Sequence, residues 1–341
     1  MQSVKVGLVG CGHWGPNYIR VIEQLPQAEM VICSDLNPEQ LERMKKAYPR
    51  LQTSLEAEAV LNHPELNAVI IATPASTHAP LVRQALSQGK HVLCEKPLTP
   101  GYAESQELVH LAREADKLLM VGHTFLFNSG IIKLKEYIQN GSLGDLLYAH
   151  STRTNLGPIR NDVGAVEDLA THDISIFNYL FDEVPVEVSA KGQSFLQEGL
   201  TDVAFINLSY PGKLLAHAHV SWLSPVKVRQ ITLVGSKKMV VWDDINVVEP
   251  IRIYDAGVNP EPYYQDFGQY QLLPKQGDTW IPRLSLSEPL KAEVQVFIQA
   301  ILAGDKQIPS DGHFSAQIVK VLDAIRLSQA QGGQPVPLAS V

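Results

Sequence analysis

Cysteine is scarce in this chain. Cys11, Cys33 and Cys94 are all that 341 residues contain, with no CxxC spacing, which excludes a disulfide framework and a thiolate metal site and suits three reduced, small apolar side chains. Basic charge is in deficit as well. Lys and Arg number 28 against 36 Asp and Glu, a formal net charge of -8, so the basic stripe that a phosphate backbone attracts is missing and nucleic acid is not an expected partner. Long apolar runs are absent. Stretches such as Ala68 to Ala72 stop far short of the roughly 20 residues that a membrane span needs. Strand-like sequence begins at Val4, which leaves no room for a secretory leader and makes a cytoplasmic location the expectation.

What is present is an ordinary globular composition, 45% hydrophobic and 19% charged, in a chain long enough for about two domains. From the start to about Gly122, short apolar runs (Val4 to Val9, Met30 to Ser34, Ala68 to Ala72, His91 to Cys94, Leu118 to Val121) alternate with helical stretches. These stretches are Asn17 to Gln24, Pro38 to Ala47, His78 to Ser87 and Ala103 to Ala115. That rhythm predicts an α/β domain over residues 1–122, its parallel strands covered on both faces. After Gly144 the runs lengthen and alternate with period two, as in Leu146 to Asn155, Val186 to Gln193, Val203 to Tyr210, Leu214 to Trp222 and Val228 to Val234. An open, mostly antiparallel sheet is expected, within an α+β domain over 123–341. Helices are expected at Val166 to Leu180, Glu288 to Leu302 and Phe314 to Gln329, the last two with room to pack back on the first domain, and Asn259 to Gly277 reads as a long surface loop.

Gly10, Gly12 and Gly15 form GxGxxG directly after the first strand and before a helical run. In that context the first glycine permits a tight turn, the second a close backbone approach to a pyrophosphate, and the third close helix packing, with the helix N-terminus supplying positive charge. His13 and Trp14 fill the same loop and are assigned with it. Asp35 ends the second strand 20 residues past Gly15, where a carboxylate accepts hydrogen bonds from ribose hydroxyls and repels a 2′-phosphate. Leu36 and Asn37 follow, so no cation is at hand for that phosphate and NAD is expected rather than NADP. The alternative is an ordinary glycine turn with Asp35 capping the next helix.

Glu95, Lys96 and Pro97 follow the His91 to Cys94 strand, at the edge where parallel sheets bind ligands. Lys96 there is a candidate proton donor or acceptor, unless it and Glu95 are merely solvated charges. Asp168 and His172 stand four apart on a helix candidate, so both side chains share a face and the carboxylate can fix the imidazole tautomer, which suits general acid/base work. A helix cap beside a buried histidine is the alternative. His217 and His219 share a strand face without an evident third ligand, and no metal is expected; His123 and His150 stay open.

These motifs, with Thr73-Pro74 and His78, resemble the glucose-fructose oxidoreductase and inositol dehydrogenase (Gfo/Idh/MocA) family over nearly the whole chain. The resemblance implies an N-terminal Rossmann domain, a C-terminal open sheet and a nicotinamide site serving sugars or cyclitols. It implies that Thr73, Pro74 and His78 lie along the cofactor, with Lys96 near the reacting hydroxyl and Asp168 and His172 facing it. A narrower likeness, carried by Gly122 to Asn128, Thr152 to Gly157 and on through Asp162, and Asp168 to Ser175, is to the UDP-N-acetylglucosamine 3-dehydrogenase branch, from which the chain departs at Ser129 and Glu167.

The expectation is therefore an NAD-dependent oxidoreductase acting on a ring hydroxyl, at C3 of a UDP-N-acetylhexosamine or its uronic acid. The hydroxyl proton goes to His172 or Lys96. Inositol or a free sugar is the rival substrate, and an NAD-sensing regulatory module is the rival outside enzymes. Arg153 and Asn155 share a strand face, and Arg160 follows a Gly157-Pro158 bend, so these three with Asn128 are expected to meet the substrate, the guanidiniums pairing with a diphosphate or carboxylate, unless both arginines are surface residues or subunit contacts. An open sheet with an apolar outer face needs cover, which predicts a homodimer or homotetramer.

Overall fold

A computed structural model describes residues 3–157, 159–258 and 274–341. The chain runs β1 (Val4–Val9), α1 (Gly15–Ile22), β2 (Ala28–Ser34), α2 (Pro38–Ala47), β3 (Gln52–Ser54), α3 (Glu58–Leu61), β4 (Ala68–Ile71) and α4 (His78–Ser87). It continues through β5 (His91–Cys94), α5 (Tyr102–Glu114), β6 (Leu119–Val121), α6 (Ser129–Gln139), β7 (Leu146–Leu156), α7 (Thr171–Phe181), β8 (Glu187–Gln193) and β9 (Val203–Ser209). Then come β10 (Leu215–Ser221), β11 (Leu223–Gly235), β12 (Met239–Asp243), β13 (Ile251–Val258), β14 (Pro274–Trp280), α8 (Pro289–Ala303), α9 (Gly312–Ala330) and β15 (Val336–Pro337).

Internal contacts divide the chain into two compact units, one reaching Phe127 and including Ser287–Lys320, the other Asn128–Leu286 with Val321–Val341. The first unit is thus discontinuous, taking in α8 and the start of α9, the two helices that the sequence counted with the second domain but left room to pack back on the first. Of the expected 259–277 loop, 259–273 lies outside the described residues and the rest belongs to β14.

In the first unit six parallel strands lie in the order β3-β2-β1-β4-β5-β6. β4 is buried at every position, as continuous apolar strands require when helices cover both faces. The register aligns the carboxyl ends: Val9 pairs with Ser34 and Ile71, Ile71 with Cys94, and Cys94 with Val121. The residues that follow, Gly10, Asp35, Ala72, Glu95 and Gly122, therefore emerge along one edge. Strand order reverses between β1 and β4, the crevice where such sheets take ligands.

The second unit is built on a nine-stranded sheet, β14-β13-β12-β11-β7-β10-β9-β8-β15, antiparallel throughout except for the parallel β7/β10 pair. Alternation sets its faces: Ala204, Ile206 and Leu208 are buried, Phe205 and Asn207 exposed between them. On the outer face Phe205 stacks on His219 at 4.5 Å and on His217 at 6.5 Å. Among the described residues no cluster of His, Cys, Asp and Glu could hold a metal ion, and no helix is long and apolar enough to cross a membrane.

Candidate functional site

The first unit supplies a built cavity at the glycine loop. Gly10 has φ +97°, and a Cβ there would stand 2.6 Å from the Ala72 carbonyl oxygen, so only glycine fits. A Cβ on Gly15 would stand 2.3 Å from the Gly10 oxygen, while one on Gly12 would meet nothing within 4 Å. Two glycines are thus demanded by the fold, and the third keeps space open for something outside it. Asp35 Oδ2 accepts the Cys11 N–H at 2.6 Å and Oδ1 the Asn37 N–H at 2.8 Å, which aims the carboxylate along the sheet edge. Gly10, Gly12, Asp35, Leu36, Thr73 and Pro74 line a cavity of about 190 Å³. These residues fit the adenosine half of a dinucleotide: a bare backbone at the phosphate loop, a fixed carboxylate for the ribose, and Leu36, 90% exposed, beside the pocket with no cation next to it in sequence. His13 and Trp14 stand exposed in the loop, in edge contact at 5.5 Å.

His78 departs from its expected place along the cofactor. It is fully buried, its Nε2 lies 2.8 Å from the Thr73 carbonyl oxygen and its Nδ1 2.9 Å from that of Pro97. The ring therefore ties the Thr73 loop to the Lys96-Pro97 loop, which turns through a cis peptide. Burial holds its pKa below the usual histidine value, against the pull of those carbonyls. The loop is pinned further by Thr77, whose hydroxyl donates to the Thr73 Oγ1 at 2.8 Å.

Lys96 is half-buried at the end of β5, its N–H donating to Glu95 Oε2 at 3.2 Å. Glu95 is itself buried and accepts the Tyr18 hydroxyl at 2.8 Å; burial raises its pKa, and Tyr18 and Lys96 oppose the rise. His123 follows at the end of β6, wholly buried, with neither ring nitrogen hydrogen-bonded and the ring edge-on to Phe314 at 5.9 Å. Burial first, and the positive charge of Lys96 second, press its pKa down to about 3. The sequence did not single out Tyr18 or Glu293. Glu293 carried a signal, a carboxylate three residues after Leu290 and four before Phe297 on the apolar stripe of α8, all three buried.

In the second unit the stretch expected as one helix is in two parts, a π-helical turn at Val166–Ala170 that hands over to α7. The wider turn changes the angle at which Asp168 leaves the axis, and such turns recur at functional sites. Asp168 accepts from Arg160 Nη1 at 3.4 Å, and His172 is half-buried one turn on.

Three of the four residues expected to meet the substrate are engaged with the protein. Arg153 is 2% exposed and makes a two-pronged pair with Asp173 of α7, both bonds 3.0 Å. It anchors the catalytic-helix candidate to β7 instead of presenting a cation. Arg160 donates to Asp162 at 2.9 and 2.6 Å as well as to Asp168, and that pairing holds the Asp162 carboxyl below its usual range. Pro158 of the expected bend is outside the described residues. Asn128 caps α6 by accepting the Gly130 N–H at 2.8 Å and donates to Asp244 at 3.4 Å. Asn155 is half-buried, and a Cβ on Gly157 would strike its Nδ2 at 1.9 Å.

Residues 4–123 match the family described as an oxidoreductase family with an NAD-binding Rossmann fold, and residues 131–241 match the GFO/IDH/MocA C-terminal domain. An uncharacterised oxidoreductase of Streptococcus pneumoniae is 28% identical over 62% of this chain, and the chain spans 61% of that relative's length. Myo-inositol 2-dehydrogenase of Thermotoga maritima is 24% identical over 89% of both chains. Among solved structures, UDP-N-acetylglucosamine 3-dehydrogenase of Acidithiobacillus ferrooxidans aligns with a TM-score of 0.79 at 24% identity, covering 96% of this chain and 98% of the other, a likeness that speaks to fold alone.

Proposed function

Because the chain belongs to the Gfo/Idh/MocA oxidoreductase family, with matches to both of its domains, we propose that it is an NAD-dependent dehydrogenase of a ring hydroxyl on a sugar or cyclitol. The observation that carries this reading is the edge of the first sheet, where one register delivers the glycine loop, Asp35 and the Glu95-Lys96 turn side by side. NAD, when bound, accepts hydride from the carbinol carbon.

The chain's own residues do the rest. Asp35 and the Gly12 backbone hold the dinucleotide, and the half-buried Lys96 orients the hydroxyl as its proton leaves. His172, on the α7 turn that Arg153 anchors, is the second acceptor for that proton, with Asp168 four residues before it. A neutral polyol suits the second unit better than a nucleotide sugar, since Arg153 and Arg160 already hold three carboxylates, Asp173, Asp162 and Asp168. Oxidation at C3 of a UDP-N-acetylhexosamine is the second reading, favoured by the Gly122 to Asn128 motif. The exposed Phe205, Tyr148 and Leu215 on the outer sheet face support self-association of this chain.

The test is reduction of NAD on mixing the protein with myo-inositol, free hexoses or UDP-N-acetylglucosamine. Turnover with a neutral polyol is expected, and Lys96→Met or His172→Asn should each lower kcat by roughly 10² to 10⁴. Absence of NAD reduction with every class, or near-normal turnover in both variants, overturns the assignment.

A further inference from the structure

Behind Lys96 the first unit buries two carboxylates in one place. Glu95 stands at the end of β5 and Glu293 on α8, and the Tyr18 hydroxyl of α1 lies 2.8 Å from Glu95 Oε1 and 3.4 Å from Glu293 Oε1. A Cβ on Gly122 would stand 3.1 Å from that hydroxyl and 3.5 Å from an oxygen of each carboxylate, so backbone closes the remaining side. Tyr18 and Glu293 are fully buried, and Glu293 Oε2 has no hydrogen-bond partner. Two ionised carboxylates cannot occupy so dry a site together, and a bare carboxylate with an orphaned oxygen is costly even alone. The phenol has a single proton, and the shorter bond gives it to Glu95. The longer link closes as a hydrogen bond only if the Glu293 carboxyl is protonated and donates to the phenolic oxygen. The chain Glu293–Tyr18–Glu95 then carries one negative charge, on the carboxylate that accepts the Lys96 N–H.

We propose that Glu293 is a positioning acid for the dehydrogenase reaction: its proton, passed along as a hydrogen bond through Tyr18, fixes Glu95 as the one ionised carboxylate beneath Lys96. The proposal rests on the function argued above only in that Lys96 is the residue served. The groups facing Glu293 are Tyr18 from α1, Glu95 from the end of β5, and Thr124 after β6. Beyond Glu95 stand the side chains of Lys96, His123 and His13 and the buried Cys94 thiol. Burial, then the charge of Glu95, pushes the Glu293 carboxyl up to about 8, and the hydrogen bond from Thr124 holds it back. Above that pH a second negative charge appears, Tyr18 can serve one carboxylate only, and the hold on the Lys96 backbone loosens.

The experiment titrates the ligand-free protein and reads two quantities, the infrared band of a protonated buried carboxyl and the protection of the Lys96 amide against hydrogen exchange. In the wild type both should be present at neutral pH and fall together as pH passes about 8. Glu293→Gln keeps the shape and the neutral charge, so it should lack the band yet keep the amide protected through the same range. Tyr18→Phe removes both the phenolic oxygen that accepts the Glu293 proton and the donor that steadies Glu95, so the Lys96 amide should lose protection already at neutral pH. With NAD and a polyol that turns over, kcat/KM of the wild type should fall about tenfold per pH unit above the same point, and Glu293→Gln should abolish that fall. No band at neutral pH, a band unchanged in Glu293→Gln, or an alkaline fall that survives that substitution overturns the inference. If no polyol is oxidised by the wild type, the proposed function fails, and the two substrate-free readings still decide the role of Glu293.

Discussion

The two units spend their polar residues in opposite ways. At the edge of the first sheet the phosphate loop and the ribose carboxylate candidate stay turned to open space, although His78 and Glu95 are buried: Gly12 faces nothing within 4 Å, and Asp35 is fixed by two backbone N–H groups beside a cavity. In the second unit three of the four expected to meet a substrate are taken by the protein. Arg153 is sealed against Asp173, Arg160 is shared by two aspartates, and Asn128 caps a helix. A backbone motif announces a ligand because it leaves a gap in the fold. A charged side chain announces only that it needs a partner, and the partner can be another side chain.

The sharpest way to break this contrast is Arg153→Ala. If the pair is structural, the variant leaves an uncompensated carboxylate in the core and should lose about 3 to 5 kcal/mol of stability, read as a lower denaturation midpoint at unchanged NAD affinity. A stable Arg153→Ala with a raised KM would return Arg153 to the substrate and erase the difference between the units.

Asp35→Ala tests the open side. Wild type should bind NAD at least about tenfold more tightly than NADP, and losing the charged hydrogen bonds should narrow that gap by on the order of 1 to 3 kcal/mol, measured by calorimetry with each nucleotide. Equal affinities in the wild type would show that the carboxylate serves the loop, through Cys11 and Asn37, and not a ribose.

The smallest effect belongs to Arg160→Ala. Its ion pairs are about two-fifths exposed on the arginine side, and screened pairs of that kind contribute below about 1 kcal/mol. Thermal midpoint should scarcely move, and KM for a neutral polyol should stay within a few fold. A large rise in KM confined to a UDP-sugar would instead support the nucleotide-sugar reading.

The sequence by itself determined what depends on neighbours in the chain. Continuous apolar strands against alternating ones separated the parallel sheet from the mixed one, and GxGxxG with Asp35 located the cradle, because turn, strand end and helix start are contiguous. One helix of ordinary length escaped it: α6 opens with Ser129, Gly130, Ile131 and Ile132, weaker helix formers that are held by the Asn128 cap. Tertiary structure alone decided the partners. Strand register set Gly10, Asp35, Ala72 and Glu95 in one row, and folding brought Glu293 to Glu95 from 198 residues away in the numbering. It joined Arg153 to Asp173 across a strand and a helix, and it widened a helical turn at Asp168. Local pattern carries no record of such meetings, because a buried charge is satisfied by whatever the fold delivers to it, and that is fixed by packing at a distance rather than by spacing along the chain.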